Sequence, residues 1–382
     1  MANKSQRPAK IERRDSRRRS IERLLSSDKA SDAIKQTVGD ILDENAELAL
    51  QIRDLESARS MDPRKIRAAI FQLAEKTPEP PAWLVTAKPP KKGPGVPTLF
   101  ASDWHWGEVV QPSQIGGVNE YSIKIAHERA KRLINNAMDL LDNHMVNPNY
   151  PGIVFALGGD MVSGNIHEEL AKTNELEIMP TVLDVAGVLV WCIKTLADRY
   201  GRVFVPCVTG NHGRDTYKIQ MKNRNNTSFD WLIYCICEKF LAGDKRVSFH
   251  IPDGSDAYYR VYDHRFLLTH GDQFRGGDGV IGALGPIIRG DHRKRSRNSQ
   301  INMEYDTMLL GHWHQYIHMQ RIIINGSSKG YDEYAYNNNF PFERPRQALF
   351  INHPDHGITF AMPVNVDAKI VKKHLDWVSI LK

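Results

Sequence analysis

The sequence predicts an α/β fold of two packed mixed sheets with helices on the outside. Three observations lead there. Five short apolar runs each end at a glycine or a polar residue, as buried strands do. Long helical patterns separate the first three runs, which makes βαβ units and a parallel core. Beyond His250 the spacing tightens into hairpins.

From the N-terminus, residues 1–25 form a basic arm. Nine Lys and Arg stand against three acids, a net +6 that equals the charge of the whole chain. The rest is therefore near neutral. Such an arm releases counterions on meeting a phosphate backbone, so DNA is an expected partner, with a disordered tail lacking any partner as the alternative. The arm has no apolar core of a secretory signal. Residues 26–76 read as helical. Ile41, Leu48 and Leu55 recur at heptad spacing, with Glu44, Glu47 and Asp54 on a polar face. Self-association through residues 38–56 is one expectation, and folding onto the main domain is the other. Residues 77–97 form a linker stiffened by seven prolines, from Pro78 to Pro97, and carrying Lys88, Lys91 and Lys92. The main domain is expected over 98–365, and 366–382 form a tail with one short amphipathic helix.

Within the main domain, Thr98–Ala101 reads as a strand ending at Asp103-Trp104-His105. Helical patterns cover Ser122–His144, Glu168–Arg199 and Ser228–Leu241. Between them Ile153–Leu157 leads to Gly159-Asp160, and Val203–Val208 leads to Gly210-Asn211-His212. Ala257–Tyr262 pairs with Arg265–Thr269, which ends at His270-Gly271. His264 belongs to that hairpin turn. Thr307–Leu310 leads to Gly311-His312-Trp313-His314, and Ile317–Ile324 follows as a strand. In open α/β sheets, chemistry collects at the carboxyl ends of strands. Five strand ends would bring two Asp, one Asn and five His to one edge. Alone, each motif is a turn or a satisfied core histidine. Together they exceed the roughly four to six protein ligands that a pair of divalent ions needs.

In this order the motifs resemble those of the calcineurin-like metallophosphoesterases: D-x-H, GD, GNH followed by an acid, H, and GHxH. The resemblance covers residues 97–330, and Asn325-Gly326-Ser327 is similar to the turn that closes the family's last strand pair. It implies a four-layer α/β/β/α sandwich. It also implies that Asp103, His105 and His314 bind one metal, that Asn211, His270 and His312 bind a second, and that Asp160 bridges them. His212 would be the catalytic histidine. The chain departs from the pattern at Gly213, where the family has the acid that steadies this imidazole. Asp215 or a backbone carbonyl is expected to serve instead.

The chemistry of the residues agrees. Two cations roughly 3.5–4 Å apart hold a bridging hydroxide and clamp a phosphate for in-line attack. Imidazole with carboxylate favours Mn2+, and Fe or Zn, over Mg2+ or Ca2+. A histidine outside the ligand set is the natural proton donor to the leaving oxygen. The expected activity is phosphodiester hydrolysis on DNA. Residues 289–297, with Arg293, Lys294 and Arg295, are expected to flank the cleft, and Arg275 sits in a glycine-rich lip over 271–290. His167 is a further candidate for the substrate phosphate. Gly107 completes D-x-H-x-G, a spelling that resembles the Mre11-type DNA nucleases. Residues 329–346 interleave aromatics with Lys329, Arg344 and Arg346, which suits base stacking or ordinary sheet packing. Two alternatives stand: a phosphomonoesterase acting on protein or nucleotide, and a catalytically impaired nucleic-acid-binding protein. Four cysteines in apolar stretches read as buried thiols of a cytoplasmic protein. No apolar run is expected to reach membrane-spanning length.

Overall fold

The computed structural model describes residues 81, 83–84, 93–276, 282 and 284–368. The basic arm, the helical stretch 26–76, most of the linker, part of the glycine-rich lip and residues 369–382 lie outside the described residues.

Two mixed sheets form the centre. The strands of the first are β1 (Val96–Ala101), β2 (Ile153–Leu157), β3 (Val203–Pro206), β4 (Val247–His250), β10 (Arg346–His353) and β11 (Gly357–Asn365). Their spatial order is β11-β10-β1-β2-β3-β4. Strands β1 to β4 are mutually parallel, while β10 pairs antiparallel with both β1 and β11. The second sheet contains β5 (Asp256–Val261), β6 (His264–Thr269), β7 (Thr307–Leu310), β8 (Ile317–His318) and β9 (Ile322–Ile324). It runs β5-β6-β7-β9-β8. Strands β6, β7 and β9 are parallel, with antiparallel β5 and β8 at the edges.

Side-chain alternation along the strands assigns the layers. In β2, Ile153, Phe155 and Leu157 join the core under the helices, whereas Val154 and Ala156 face the second sheet. In β7, Leu309 faces the first sheet, and Met308 and Leu310 face outward. The outer core of the first sheet is covered by α1 (Ile123–Asn143), α3 (Ile178–Tyr200) and α4 (Phe229–Leu241). The outer face of the second is covered by α5 (Leu284–Gln300), which contributes Ile287. The order of layers is thus α/β/β/α.

Helix α1 follows from its sequence. Ser122 caps it by accepting from the Ile125 amide at 3.4 Å, and Ala126, Ala130, Leu133, Ile134, Ala137 and Leu141 form its buried stripe. The pattern over 168–199 is not one helix. Helix α2 (Glu168–Thr173) ends before α3 begins. The Glu175 amide donates to Gly107 O at 2.8 Å, and the Glu175 carboxylate accepts from the Ile123 amide at 2.7 Å. These tertiary ties draw the chain out of helical geometry. Helix α3 also corrects the expectation about membrane-spanning runs. It has 23 residues and is long and apolar enough to cross a membrane by length and composition. Its apolar residues pack into the core, and its Asp184 carboxylate accepts from Trp106 Nε1 at 2.9 Å.

Two further expectations change. His264 opens β6 rather than sitting in the turn, and its Nε2 lies 2.8 Å from Thr307 Oγ1. The single strand expected over Ile317–Ile324 is the hairpin β8–β9.

Candidate metal centre

The five motifs follow the carboxyl ends of β1, β2, β3, β6 and β7. Direct backbone bonds bring them together. The Asp103 and His105 amides donate to Gly159 O and Asp160 O at 3.0 and 3.1 Å, so the first two loops run side by side. The two sheets meet across the site. His312 N donates to Asp103 Oδ1 at 2.9 Å, and His270 Nδ1 lies 2.8 Å from Gly158 O.

Three sets of ligand atoms lie within 4.8 Å of one another: Asp103/His105/His314, His105/Asp160/His212, and Asp160/His270/His312. Asp160 belongs to two of them. Asn211 Oδ1 lies 3.2 Å from His270 Nε2, which places it at the His270 end. Several of these residues sit in the left-handed region that side chains avoid: Asp103 (φ 54), His105 (φ 47), Asp160 (φ 50), His312 (φ 65) and His314 (φ 53). Each costs on the order of 1–3 kcal/mol, a strain that marks functional loops. Glycine is required beside them. A Cβ on Gly311 would lie 2.3 Å from Asp103 Oδ2, and one on Gly210 would lie 2.0 Å from Asp160 Oδ1.

The atoms fit cations. A carbonyl only accepts, so the proton of neutral His270 is on Nδ1, toward Gly158. Its bare Nε2 then faces Asp160 Oδ2 at 2.9 Å, and that oxygen is buried without a hydrogen bond. His105 Nε2 and His314 Nε2 face each other at 3.1 Å. Each pair at these distances needs a proton or a cation between its two atoms. Burial disfavours charge on His270, but Asp160, Asp103 and Asp272 outweigh it and raise the imidazole to about 10, so the place between Nε2 and Asp160 Oδ2 takes a proton where it does not take a cation. Burial pushes His105 and His312 down to about 4, which keeps both neutral and able to ligate.

His212 lies against this cluster, its ring centroid 4.5 Å from that of His105. Its Nδ1 is 2.9 Å from Ser163 O, so that nitrogen carries the proton, and its amide donates to Asp160 Oδ1 at 2.6 Å. Burial lowers its pKa, while Asp160 and Glu108 pull the other way. Asp215 is exposed, and no described hydrogen bond links it to His212. The steadying group is the Ser163 carbonyl. His167 is exposed at the start of α2, with its ring 6.0 Å from that of His212.

The basic run behaves differently from expectation. Lys294 is buried and bonds both oxygens of Asp256 at 2.6 and 2.7 Å. Arg295 bonds Asp291 and the carbonyls of Tyr305 and Asp306. Neither is available to substrate, because each neutralises or caps its own surroundings. Arg275 and Arg293 are exposed. Lys329 is also buried, between Glu108 and Asp332. Arg344 pairs with Asp367, and Arg346 with Glu343. The nearby aromatics are not sheet packing: Tyr334, Tyr336, Phe340 and Phe342 are 70, 48, 48 and 52% exposed. Gly107 has φ 98 and packs on Thr181, a local reason for glycine there.

Sequence reasoning missed the residues that hold the loops. Asp230, fully buried at the start of α4, accepts from the amides of Asp160, Met161 and Gly210 at 2.9, 3.1 and 2.9 Å. Burial and the Asp160 charge raise it to about 6. A Cβ on Gly213 would approach its carboxyl carbon to 2.9 Å, so Asp230 fills the space next to the glycine. Only an acid in the first turn of a helix hinted at it. Glu108 and Ser327 have no local signal. The Ser327 hydroxyl donates to Asp103 O at 2.8 Å.

No family model matches this chain, and no curated protein does. Among solved structures it is similar to Vacuolar Protein Sorting 29 from Cryptosporidium parvum, at 13% identity over 67% of this chain and 84% of that one, with a TM-score of 0.28. A predicted phosphoesterase from Streptococcus pneumoniae gives 12% identity over 70% of this chain and 95% of that one, with a TM-score of 0.26. A putative 5′-nucleotidase from Staphylococcus aureus gives 12% over 73% and 56%, with a TM-score of 0.30. Scores this low decide nothing about chemistry, which stands on the residues above.

Proposed function

We propose that this chain, with the two-sheet fold and the ordered ligand motifs of the calcineurin-like metallophosphoesterases, hydrolyses phosphate esters with a pair of divalent cations, and that its substrate is a DNA phosphodiester. One observation carries the reading. Two ligand groups, Asp103/His105/His314 and Asp160/His270/His312, are joined by a third that contains His105, Asp160 and His212. When bound there, two cations supply Lewis acidity to the phosphoryl oxygens and lower the pKa of water. The chain's own residues do the rest. Asp160, which belongs to two of the three ligand sets, suits the bridging position. His212 is held through Nδ1–H, so in its imidazolium form, which Asp160 and Glu108 favour, Nε2–H can give a proton to the leaving oxygen as the phosphorus–oxygen bond breaks and the ring returns to the neutral Nδ1–H form. The strained, buried loops fix these side chains close to one another before any ion binds.

DNA as substrate rests on the basic arm at residues 1–25 and on the exposed rings of Tyr334, Tyr336, Phe340 and Phe342. Those rings lie on the segment that follows Lys329, and the Glu343 carboxylate accepts from the amide of Tyr316, two residues past His314. The charges of Lys294 and Arg295 lend no support, being neutralised or capped internally.

The test uses Mn2+ with p-nitrophenyl phosphate, bis-p-nitrophenyl phosphate and end-labelled single- and double-stranded DNA. The diester and DNA are expected to be cleaved in preference to the monoester. The reverse preference would move the assignment to a phosphomonoesterase, and bound metal without hydrolysis would leave a binding protein. His212→Ala is expected to keep both ions and lose roughly 10²–10⁴-fold in kcat. Asp160→Asn is expected to lose metal and turnover together, measured by metal analysis on the same samples.

A further inference from the structure

Glu108 is 6% exposed and touches His105 on one hand and Ser163, whose carbonyl holds His212, on the other. Its Oε2 is 3.3 Å from His105 Nδ1 and 3.3 Å from Ser163 Oγ. Its Oε1 accepts from Lys329 Nζ at 2.8 Å. Burial opposes its charge, but Lys329 and His105 keep it ionised. Lys329 is itself fixed, since its amine also bonds Asp332 and its carbonyl accepts from Arg129 and Asn119. The carboxylate therefore has a rigid, charged support on one side and two targets on the other.

Each target has a defined need. For His105 Nε2 to ligate, Nδ1 must carry the proton, and that N–H needs an acceptor in a fixed direction. Glu108 Oε2 stands 3.3 Å from that nitrogen, at ion-pair distance but off the line of a hydrogen bond, so a small turn of the ring or carboxylate completes the bond. For His212 to give a proton from Nε2, its Nδ1–H must be held, and Ser163 O holds it. Ser163 is placed in turn by its amide, which donates to Trp106 O at 3.0 Å, and by its hydroxyl on Glu108. Gly213 contributes no acid at this point, and the Asp230 carboxylate is engaged by three amides.

We propose that Glu108 is a positioning residue for both histidines, orienting His105 toward the first cation directly and His212 toward the leaving group through Ser163. The proposal rests on the reading of the centre as a two-cation phosphoesterase. It assigns one carboxylate, neutralised by a buried lysine, to both metal binding and proton delivery.

The experiment compares the full-length parent, Glu108→Gln and Ser163→Ala. Mn2+ binding is titrated calorimetrically on metal-free protein. Hydrolysis is measured with bis-p-nitrophenyl phosphate, whose leaving group needs little protonation, and with diphenyl phosphate, whose leaving group needs more. Glu108→Gln is expected to weaken one of the two Mn2+ sites by roughly 10–100-fold, and to slow diphenyl phosphate about tenfold more than the nitrophenyl ester. Ser163→Ala is expected to bind both ions as the parent does and to show only the leaving-group effect. Should Glu108→Gln fail to fold by circular dichroism, Glu108→Asp, which keeps the charge and shortens the reach, takes its place with the same expected losses. Parent affinity and a parent rate ratio in the Glu108 variant would overturn the proposal. A metal effect without a change in that ratio would overturn the Ser163 arm. A parent that takes up no Mn2+ would overturn both this role and the two-cation reading. A parent that binds two ions and turns over upholds that reading, and the variants then test Glu108 alone.

Discussion

Replacing Asp230 with alanine is expected to destabilise the protein by about 3 kcal/mol or more, read from urea midpoints, because it strands three buried amides at once. Metal affinity should fall with it, since two of those amides belong to Asp160 and Gly210. Asp230→Asn keeps an acceptor and should cost less. The contrast illustrates what was legible at this scale. Asp103, His105, Asp160, Asn211, His212, His270, His312 and His314 announced themselves because each stands after an apolar run. Asp230 and Glu108 did not, because a lone acid in a helix or loop has no local signature. Their meaning arises when distant loops converge.

At the scale of elements, α5 shows how a charged run can mislead. Lys294 faces inward and Arg295 is tied to Asp291 and two carbonyls, whereas Arg289, Arg293 and Arg297 on the same helix are exposed, and a one-dimensional sequence does not say which is which. Lys294→Met is expected to cost about 3 kcal/mol by leaving Asp256 short of its nearest cation, and to leave DNA affinity unchanged in a filter-binding assay. The pH dependence has a definite sign. Burial opposes ionisation of Asp256, but Lys294 holds its carboxyl below the ordinary range. Its stabilisation is therefore present above about pH 4 and is lost as pH falls through the lowered folded value. The variant should show a shallower acid-unfolding profile in that window. The strands were readable because buried parallel strands are apolar on both faces. The break between α2 and α3 was not, because its cause is the bond from Glu175 to Gly107, more than sixty residues away in sequence.

At the scale of the molecule, both sheets and their covering helices follow from the alternation of apolar side chains, and the site follows from strand direction. The proposed contact between residues 1–25 and DNA belongs here too. Deleting them is expected to weaken DNA retention and flatten its dependence on salt, while hydrolysis of bis-p-nitrophenyl phosphate stays at the parent rate. Retention unchanged across salt would make the arm irrelevant to DNA.

His105 and His314 face each other from positions 209 residues apart. No nascent chain can offer that pair of nitrogens until both sheets have docked, because closing so long a loop must come first. A divalent cation bound there would thus arrive as a lock on a finished structure and not as a seed for it. Refolding rates should be the same with or without the ion, while the unfolding rate should slow as its concentration rises.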